Sequence, residues 1–477
     1  MKKTIKNIAA FMFAATIISS CDTVDFGNIN DNPNGPTAAI TSQLLTSAQV
    51  SVVGIITSVT GTLYTQQITQ GQYPGESRYS TLTQNYNGWY TGPIQNLNRI
   101  IEVNEDAEQA AIAASFGDNN NQIAVARLMR TYYLHYMTDI WGGLPWSEAF
   151  KGIEGTQPKF DSQQSLYTYM FAEIETALGQ MNANAGPSGD LLFGGDMDQW
   201  ASFANSLKMV MALRISDVDA TTAKAKFEQA VASGKLISSN AGNITWSFGT
   251  DETSDNPWED RFFSREDYVI SETFMGFMDA KTDPRKFKYT KPAYNGQTVG
   301  NGMNEYAGAE NGKVNGNTGD FAFITNTVIG TKTYPSALYT YAQTEFSLAE
   351  AAFKGWNVGG GSAADHQKAG IEASMMDWGV ATVDMNTYTA ANPGATMADI
   401  AYEKYMALYL NGPELWSEWR RLDAPALTPS IYATIQSIPV RHAYDGSVGD
   451  NNPTNYAAIV ASQGTDDNHT KLWWDKN

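Results

Sequence analysis

The apolar residues between positions 123 and 150 recur at helical spacing. Steps of three and four residues place them on one face of a helix with 3.6 residues per turn. The members of this series are Val125, Leu128, Met129, Tyr132, Tyr136, Met137 and Ile140. Gly142, Gly143 and Pro145 end the series, because glycine favours turns and proline cannot donate the amide bond that a helix needs. The pattern predicts a long helix whose aromatic face packs against other helices.

Similar patterns predict helices along most of the chain after residue 40. The predicted segments are residues 41–70, 89–114, 161–185, 196–217, 221–232, 334–356, 364–378, 397–411 and 413–422. Asp161 is expected to cap the third of them, since its carboxylate can accept the first amide hydrogens. Many medium-length helices joined by short turns favour an array of helix pairs over a single bundle.

Three segments lack this pattern. Residues 71–87 form a polar loop with several tyrosines, and the chain is irregular from residue 428 onward. Residues 242–335 are rich in glycine, asparagine, aspartate and aromatic residues, and short alternating runs within them indicate a few short strands. Loops of this length in a compact chain usually carry function. The sequence therefore predicts a mainly α domain over residues 41–477, with an irregular loop-rich region that contains a few short strands.

The N-terminus has the features of a secretion signal. Three lysines within the first six residues precede an apolar run over residues 8–18, which is too short to span a bilayer and fits a signal peptide. Two serines then stand directly before Cys21, the single cysteine of the chain. This order resembles a bacterial lipoprotein signal. We expect a signal peptide at residues 1–20, lipidation of Cys21, and a flexible tether over residues 21–40, which contain several Asn, Asp, Gly and Pro residues.

Charge excludes nucleic acid as a partner. The chain has 50 Asp and Glu residues against 31 Lys and Arg, a formal net charge of −19 at pH 7. Nucleic-acid binding depends on cationic side chains that neutralise phosphates, so this chain would repel it. The acidic balance otherwise favours solubility in an exposed, aqueous setting.

No catalytic motif is found in the sequence. The four histidines are far apart without metal-ligand spacing, the nucleophile-elbow and phosphate-loop motifs are missing, and the one cysteine is used by the anchor. Calcium could be coordinated by Asp445-Gly446 and by Asp450-Asn451-Asn452, but these residues lack the spacing of an EF-hand. We therefore expect no cofactor, no metal site and no catalytic residues. A surface hydrolase whose carboxylates carry no recognisable pattern stays open as an alternative.

The aromatic content favours carbohydrate as the ligand. The chain has 12 tryptophans and 24 tyrosines, and several of them fall in the predicted loops. Sugar rings present an apolar C–H face and a rim of hydroxyl groups, which match flat aromatic rings and polar side chains. For any single ring, the alternative is that it fixes its own loop to the core.

Several segments, in this order, resemble the SusD/RagB family of outer-membrane lipoproteins of Bacteroidota, and in particular its SusD-like branch. These segments cover residues 18–21, 139–149, 200–208 with Arg214, 283–285, 348–352, 370–374, 414–421, 438–441, 452–456 and 472–475. One departure is Gln343, where the family pattern has glutamate. The resemblance implies a scaffold of four tetratricopeptide-like helix pairs and an irregular region that carries the ligand face.

The resemblance also implies a location and a partner. It implies a lipid-anchored protein on the extracellular face of the outer membrane, which acts as a lid on a SusC-like TonB-dependent transporter. Asp22 and Asp25, just after the lipidated cysteine, resemble a surface-export signal. We expect a non-enzymatic lipoprotein that captures glycans and delivers them to this transporter. Alternatives are a peptide-capturing lid and a purely structural lid.

Ligand contacts in this family come from an early loop and from the irregular middle region. On this basis the candidate ligand-binding residues are Arg78, Tyr79, Trp89, Tyr289, Tyr294 and Tyr306.

Overall fold

Helices dominate the part of the chain that the computed structural model describes, which is residues 39–295, 297–299, 302–394 and 396–476. The expected signal peptide, Cys21, Asp22, Asp25 and nearly all of the tether lie outside the described residues. The helices are α1 (Thr41–Val50), α2 (Val53–Ile56), α3 (Thr60–Tyr64), α4 (Asn87–Trp89), α5 (Gln95–Glu105), α6 (Ala110–Ala113), α7 (Asn119–Trp141), α8 (Gln163–Gln180), α9 (Met197–Arg214), α10 (Ala220–Ala232), α11 (Pro257–Phe263), α12 (Glu272–Lys281), α13 (Lys286–Tyr289), α14 (Asn326–Ile329), α15 (Tyr341–Phe353), α16 (Ala363–Asp377), α17 (Thr382–Ala391), α18 (Met397–Ala407), α19 (Gly412–Leu422), α20 (Gly446–Asn451) and α21 (Pro453–Gln463).

The strands are short and lie in two-stranded sheets. They are β1 (Ile68–Gln70), β2 (Thr83–Gln84), β3 (Leu144–Pro145), β4 (Phe160–Asp161), β5 (Ile244–Trp246), β6 (Tyr268–Ile270), β7 (Thr290–Lys291), β8 (Gln297–Val299), β9 (Gly302–Asn304), β10 (Phe323–Ile324), β11 (Ser336–Tyr339) and β12 (Ala443–Tyr444). β1 pairs with β6, β3 with β4, β5 with β11, β7 with β10 and β8 with β9, all antiparallel. β2 and β12 pair in parallel.

The longest predicted helical pattern forms α7. Asp118 caps this helix, because its Oδ1 accepts hydrogen bonds from the amides of Asn120 and Asn121 at 3.0 and 3.3 Å. Gly142 ends it with a φ of +85°, which favours glycine. Most of the helix is buried, so the prediction of a long helix surrounded by others is confirmed.

Consecutive helices pack against each other in pairs. The pairs are α7 with α8, α9 with α10, α15 with α16, and α18 with α19. Contacts of α7 with α5 and of α15 with α18 extend the array. Four tryptophans in the main core are less than 2% exposed: Trp141, Trp200, Trp416 and Trp474. This arrangement confirms the mainly α fold with helix pairs as its scaffold.

The first predicted helix, over residues 41–70, is divided into α1, α2, α3 and β1. Gly61 lies where α3 meets α19, and a Cβ at this position would stand 1.9 Å from the carbonyl oxygen of Gly412. The glycine therefore permits a backbone contact while it weakens the helix. By length and composition Thr41–Tyr64 is apolar enough to cross a membrane, but Leu45, Val52 and Leu63 are buried in the fold, as in the core helix of a soluble domain.

The predicted cap of α8 is wrong by one residue. Ser162 is the N-cap, and its hydroxyl accepts a hydrogen bond from the amide of Ser165 at 3.2 Å. Asp161 belongs to β4, where its Oδ2 accepts from the amides of Trp146 and Ser147 at 3.0 and 2.7 Å. Asp161 therefore holds the loop after α7 and does not cap the helix.

The irregular regions contain more helix than the sequence analysis predicted. α11 and α12 lie within residues 242–335, and their N-caps, Asn256 and Ser271, accept hydrogen bonds from the amides of Trp258 and Phe274 at 3.0 Å each. α17, α20 and α21 were also not predicted. Asp445, considered above for calcium, caps α20 through a 3.0 Å bond from the amide of Ser447. α11 and α20 have only seven and six residues, so their hydrophobic period is weak and the capping residues Asn256 and Asp445 are their main local signal. α17 and α21 have no side-chain cap.

Candidate ligand-binding face

Three segments that are distant in sequence meet beside β1 and β6. Antiparallel pairing sets Ile68 opposite Ile270, and just beyond the sheet the amide of Gly71 donates to the carbonyl of Asp267 at 2.8 Å. The amide of Asn315 donates to the carbonyl of Gly71 at 2.9 Å. A Cβ on Gly71 would lie 2.3 Å from the methyl carbon of Thr318, so this close approach needs glycine. The early loop therefore lies against the irregular middle region.

One group of polar and aromatic side chains on this surface is the Arg78–Tyr432 cluster, which comprises Arg78, Glu310, Lys313 and Tyr432. The guanidinium carbon of Arg78 lies 5.7 Å from the ring centroid of Tyr432, within the range of a cation–π contact. The Tyr432 hydroxyl donates to Glu310 at 3.1 Å, and Lys313 pairs with Glu310 at 2.9 Å. The cluster therefore presents a partly exposed ring surrounded by paired charges.

Arg78 is fixed in this cluster by the backbone. Its Nε donates to the carbonyl of Gly312 at 2.7 Å. Gly312 has a φ of +76°, and a Cβ there would lie 2.4 Å from the hydroxyl oxygen of Ser430. The glycine thus lets the early loop, the middle region and the segment after residue 428 approach one another.

A second group is the Tyr73–Arg265 cluster, which comprises Tyr73, Arg265, Glu266, Asp267 and Tyr294. The guanidinium of Arg265 lies 5.1 Å from the ring centroid of Tyr73 and pairs with Asp267 at 2.8 Å. The Tyr294 hydroxyl donates to Glu266 at 2.8 Å. Tyr73 and Tyr294 are 60% and 62% exposed, so both rings are accessible to a ligand.

Tyr79 has a positioning role beside the first cluster. Its ring is buried, and its hydroxyl accepts a hydrogen bond from the amide of Ser430 at 3.2 Å. Its backbone has a φ of +60°, which is unusual for a residue with a Cβ. Tyr79 therefore holds the segment that carries Tyr432, and its own ring has little surface to offer a ligand.

Tyr289 has no accessible ring surface and is withdrawn from the candidate contacts. It is fully buried, its hydroxyl donates to the carbonyl of Met406 at 2.9 Å, and its ring stacks on Tyr409 with a centroid distance of 4.3 Å. Tyr289 lies at the end of α13, and its side chain is part of a second hydrophobic cluster. In this cluster its ring contacts Phe274 and Trp378.

Trp89 and Tyr306 lie outside the two clusters. Trp89 is half-buried against the scaffold helix α7, where its ring packs on Tyr133 and Tyr136 at centroid distances of 5.7 and 5.2 Å. Tyr306 packs edge-on against the exposed Phe287 at 5.3 Å. Of the six candidates, the structure therefore brings Arg78 and Tyr79 together and places Tyr294 on the same face.

Sequence reasoning missed Tyr432 and Arg265 as candidates. Tyr432 lies after residue 428, in a segment that the sequence predicts only as irregular, and its approach to the early loop depends on contacts across more than 300 residues. The one local signal is the run Ser430-Ile431-Tyr432, which places apolar residues in a loop, with Ile431 68% exposed.

The charges of the face are largely compensated within it. Hydrogen bonding to Lys313 lowers the pKa of Glu310, whereas burial, and then repulsion by Glu310, raises the pKa of nearby Glu272. Paired charges and exposed rings suit a neutral, hydroxyl-rich ligand, because the side chains can share hydrogen bonds without leaving an unpaired charge.

Among the described residues, one group of acidic side chains has metal-like geometry. Carboxylate oxygens of Glu252, Asp255 and Asp260 lie within 4.8 Å of one another. Lys332 forms ion pairs with both Glu252 and Asp255. This lysine already supplies positive charge to the group, which therefore gives no support for a cation site.

Comparison with known proteins decides the family. The model of the family SusD-like_2, described as "Starch-binding associating with outer membrane", matches residues 33–445. The chain belongs to this SusD-like family. The family is thus one of binding proteins associated with the outer membrane, in agreement with the resemblance noted in the sequence.

Solved structures share this SusD-like fold. A chitin-binding protein is 25% identical, with a TM-score of 0.78 over 92% of this chain and 100% of that chain. A SusD homolog from Bacteroides fragilis is 20% identical, with a TM-score of 0.78 and the same coverage. A chitin-binding SusD homolog from Flavobacterium johnsoniae is 22% identical, with a TM-score of 0.71 over 91% and 99%. No curated protein matches the chain.

The SusD-like motifs found in the sequence lie mainly in the scaffold. Arg214 pairs with Asp139, Glu414 and Glu418 at 3.2, 2.8 and 3.3 Å, so three motif segments meet in one buried ion network. Gln343, the departure from the family pattern, still completes the cap of α15, because its side-chain oxygen accepts from the amide of Thr340 at 2.9 Å.

Proposed function

We propose that this SusD-like protein is a surface-exposed outer-membrane lipoprotein that captures glycans and delivers them to a SusC-like TonB-dependent transporter. It acts by binding and not by catalysis. The observation that carries the proposal is the pairing of accessible tyrosines with charged side chains on one face, Tyr73 with Arg265 and Tyr432 with Arg78. Family membership and the chitin-binding relatives support carbohydrate as the ligand.

The chemistry of capture follows from this face. The rings of Tyr73, Tyr294 and Tyr432 stack on the apolar faces of successive sugar units, and the neighbouring charged groups bond to their hydroxyls. Each stacking contact contributes about 0.5–1.5 kcal/mol, so a few of them give modest affinity. Tethering beside the transporter raises the effective concentration of captured ligand.

The anchor and the domain boundaries belong to the same proposal. Residues 1–20 are removed, Cys21 is lipidated, residues 21–40 form the tether, and residues 41–477 form the nutrient-binding domain. In a Cys21→Ser variant, metabolic labelling with a radioactive fatty acid should be lost and the protein should leave the membrane fraction. Labelling that persists in this variant would contradict the anchor.

Calorimetric titration of residues 22–477 with neutral glycans and with peptide mixtures tests the ligand class. We expect heat from one class of glycan, with the sugar recovered intact. Release of shorter products would indicate a hydrolase, and heat from peptides alone would indicate a peptide-capturing lid. To test the transporter, the lipidated protein should copurify with a SusC-like transporter from the native outer membrane. Purification without one would contradict delivery by this route.

A further inference from the structure

A large polar groove lies on the scaffold, formed by residues that do not contribute to the ligand-binding face. It has a volume of about 900 Å³ and runs between the end of α8, the start of α9 and the end of α10, a size in the upper range for ligand sites. We call it the Lys208 groove, because Lys208 lines it and is only 2% exposed. Its lining contains no aromatic ring among the described residues, so it does not offer the stacking surfaces of the glycan face.

The charge of Lys208 has no partner in the described part of the chain. Its ammonium makes neither a hydrogen bond nor an ion pair there, whereas the neighbouring Lys226 pairs with Glu175, and Lys235 at the rim pairs with Asp198. Burial lowers the pKa of Lys208, Glu175 opposes this shift and Lys226 adds to it. No ion pair within the described residues neutralises this ammonium, so an anion that enters the groove would be stabilised beside it.

A second unpartnered polar group lies one helical turn before Lys208. Asn205 is 2% exposed and lines the same groove. Its Nδ2 donates to the carbonyl of Ala201 at 2.9 Å, but its buried Oδ1 accepts no hydrogen bond from the described residues. Residues three apart share a helix face, so Asn205 and Lys208 both lie on the side of α9 that lines the groove.

The acidic groups of the groove are already engaged. Asp196 caps α9, with its Oδ1 accepting from the amides of Asp198 and Gln199 and its Oδ2 accepting from the side chain of Gln199 at 2.9 Å. Asp198 pairs with Lys235. Lys208 therefore keeps a charge that no ion pair within the described residues neutralises, and a ligand with a negative group matches it.

We propose that the Lys208 groove binds an acidic saccharide, with an oxyanion substituent on Lys208. The oxyanion is either the carboxylate of a uronic acid or a sulfate ester. That the ligand of the groove is a saccharide rests on the proposed function, whereas its negative charge is inferred from the groove alone.

The test compares three oligosaccharides of equal length by calorimetry: an oligogalacturonate, a sulfated oligosaccharide and a neutral one. We expect the wild type to bind at least one of the acidic ligands. The Lys208→Met variant should bind this ligand with an affinity lower by about tenfold or more, since a hydrogen bond to a charged group is lost. Lys208→Met keeps the apolar stem of the side chain. Lys224→Met, on the exposed side of α10, is the matched control and should bind like the wild type.

Two outcomes would overturn the inference. One is that neither acidic oligosaccharide binds the wild type, which would show that the groove holds only water. The other is that Lys208→Met binds them unchanged while its melting temperature shows that it is folded. A neutral glycan that binds the wild type and Lys208→Met equally, and binds Tyr432→Ala poorly, would leave the proposed function intact in either case.

Discussion

Arg421 donates to both carboxylate oxygens of Glu350, at 2.6 Å from Nη1 and 2.7 Å from Nη2. The two side chains are no more than 1% exposed, and Lys404 adds a third contact to Glu350 at 2.7 Å. Glu350 lies on α15, Lys404 on α18 and Arg421 on α19, so this buried network joins the helix pairs of the scaffold. Glu350 and Arg421 come from segments that carry the family resemblance, which explains why those segments mark the fold and not the ligand site.

Removal of one charge from this network should destabilise the scaffold. In Glu350→Gln, Arg421 and Lys404 keep their ion pairs with Glu418 but lose those with Glu350, and we expect the free energy of unfolding to fall by about 3–5 kcal/mol. Urea denaturation followed by circular dichroism measures this change. The control is Glu102→Gln, which breaks an exposed pair with Arg99 at 3.2 Å and should cost about 1 kcal/mol or less. Equal losses in the two variants would show that the buried pair has no special role.

The same network predicts the response to acid. Burial by itself raises the pKa of Glu350, but Arg421 and Lys404 outweigh it and hold the pKa at about 2, below its ordinary value of 4.5. A carboxylate with a lowered pKa in the folded state stabilises the fold at higher pH, and this contribution is lost as the pH falls through the folded pKa. The melting temperature should therefore fall between about pH 4.5 and pH 2.

Glu350→Gln provides the control for this pH dependence. The variant should melt lower than the wild type at pH 7, and the difference should shrink toward pH 2, because the wild type then loses the same charge. Calorimetric scans at half-unit pH intervals measure it. A difference that stays constant across this range would mean that Glu350 does not titrate with the fold.

The scaffold could be predicted from the sequence because its signals are local. α7 has an uninterrupted apolar period and two terminal glycines, and its extent follows from residues that are neighbours along the chain. The six-residue helix α20 was missed because fewer than two turns give little period, although Asp445 is a capping residue.

The ligand face could be predicted only in part, because long-range contacts build it. Arg78 bonds to Gly312 across 234 residues, and Tyr79 bonds to Ser430 across 351. Tyr289 and Tyr294 stand five residues apart in similar surroundings, yet one is fully buried and the other is 62% exposed. No local pattern separates these two tyrosines, since helix α13 turns the first inward and the following loop carries the second to the surface.

This contrast between Tyr289 and Tyr294 is testable. Tyr289→Ala should reduce the free energy of unfolding by about 3–5 kcal/mol, as expected for loss of a large buried aromatic side chain, while the folded protein binds its ligand normally. Tyr294→Ala should keep its stability and bind more weakly. Thermal melts and calorimetric titration of both variants measure the two effects. A stable Tyr289→Ala variant with impaired binding would show that Tyr289 contacts the ligand after all.

The two clusters of the ligand-binding face should both contribute to glycan affinity. Tyr73→Ala and Tyr432→Ala each remove one stacking surface, so each should weaken binding by about 2- to 10-fold without lowering the melting temperature. Phe353→Ala is the matched control, because this aromatic residue is 50% exposed at the end of α15 and belongs to neither cluster. Equal affinities of all three variants and the wild type would place the glycan site elsewhere.

Close packing of α3 on α19 predicts opposite effects of the same substitution at two glycines. In Gly61→Ala the new methyl group would meet the backbone of Gly412, with 1.9 Å to its carbonyl oxygen, so the helices must separate at a cost of about 1–3 kcal/mol. Gly276 lies on the exposed side of α12 with no atom within 4 Å of such a methyl group. Gly276→Ala should therefore stabilise the protein by about 0.5–1 kcal/mol, because alanine loses less backbone freedom on folding. Urea denaturation of both variants measures the difference, and a stabilised Gly61→Ala variant would show that the two helices can separate freely.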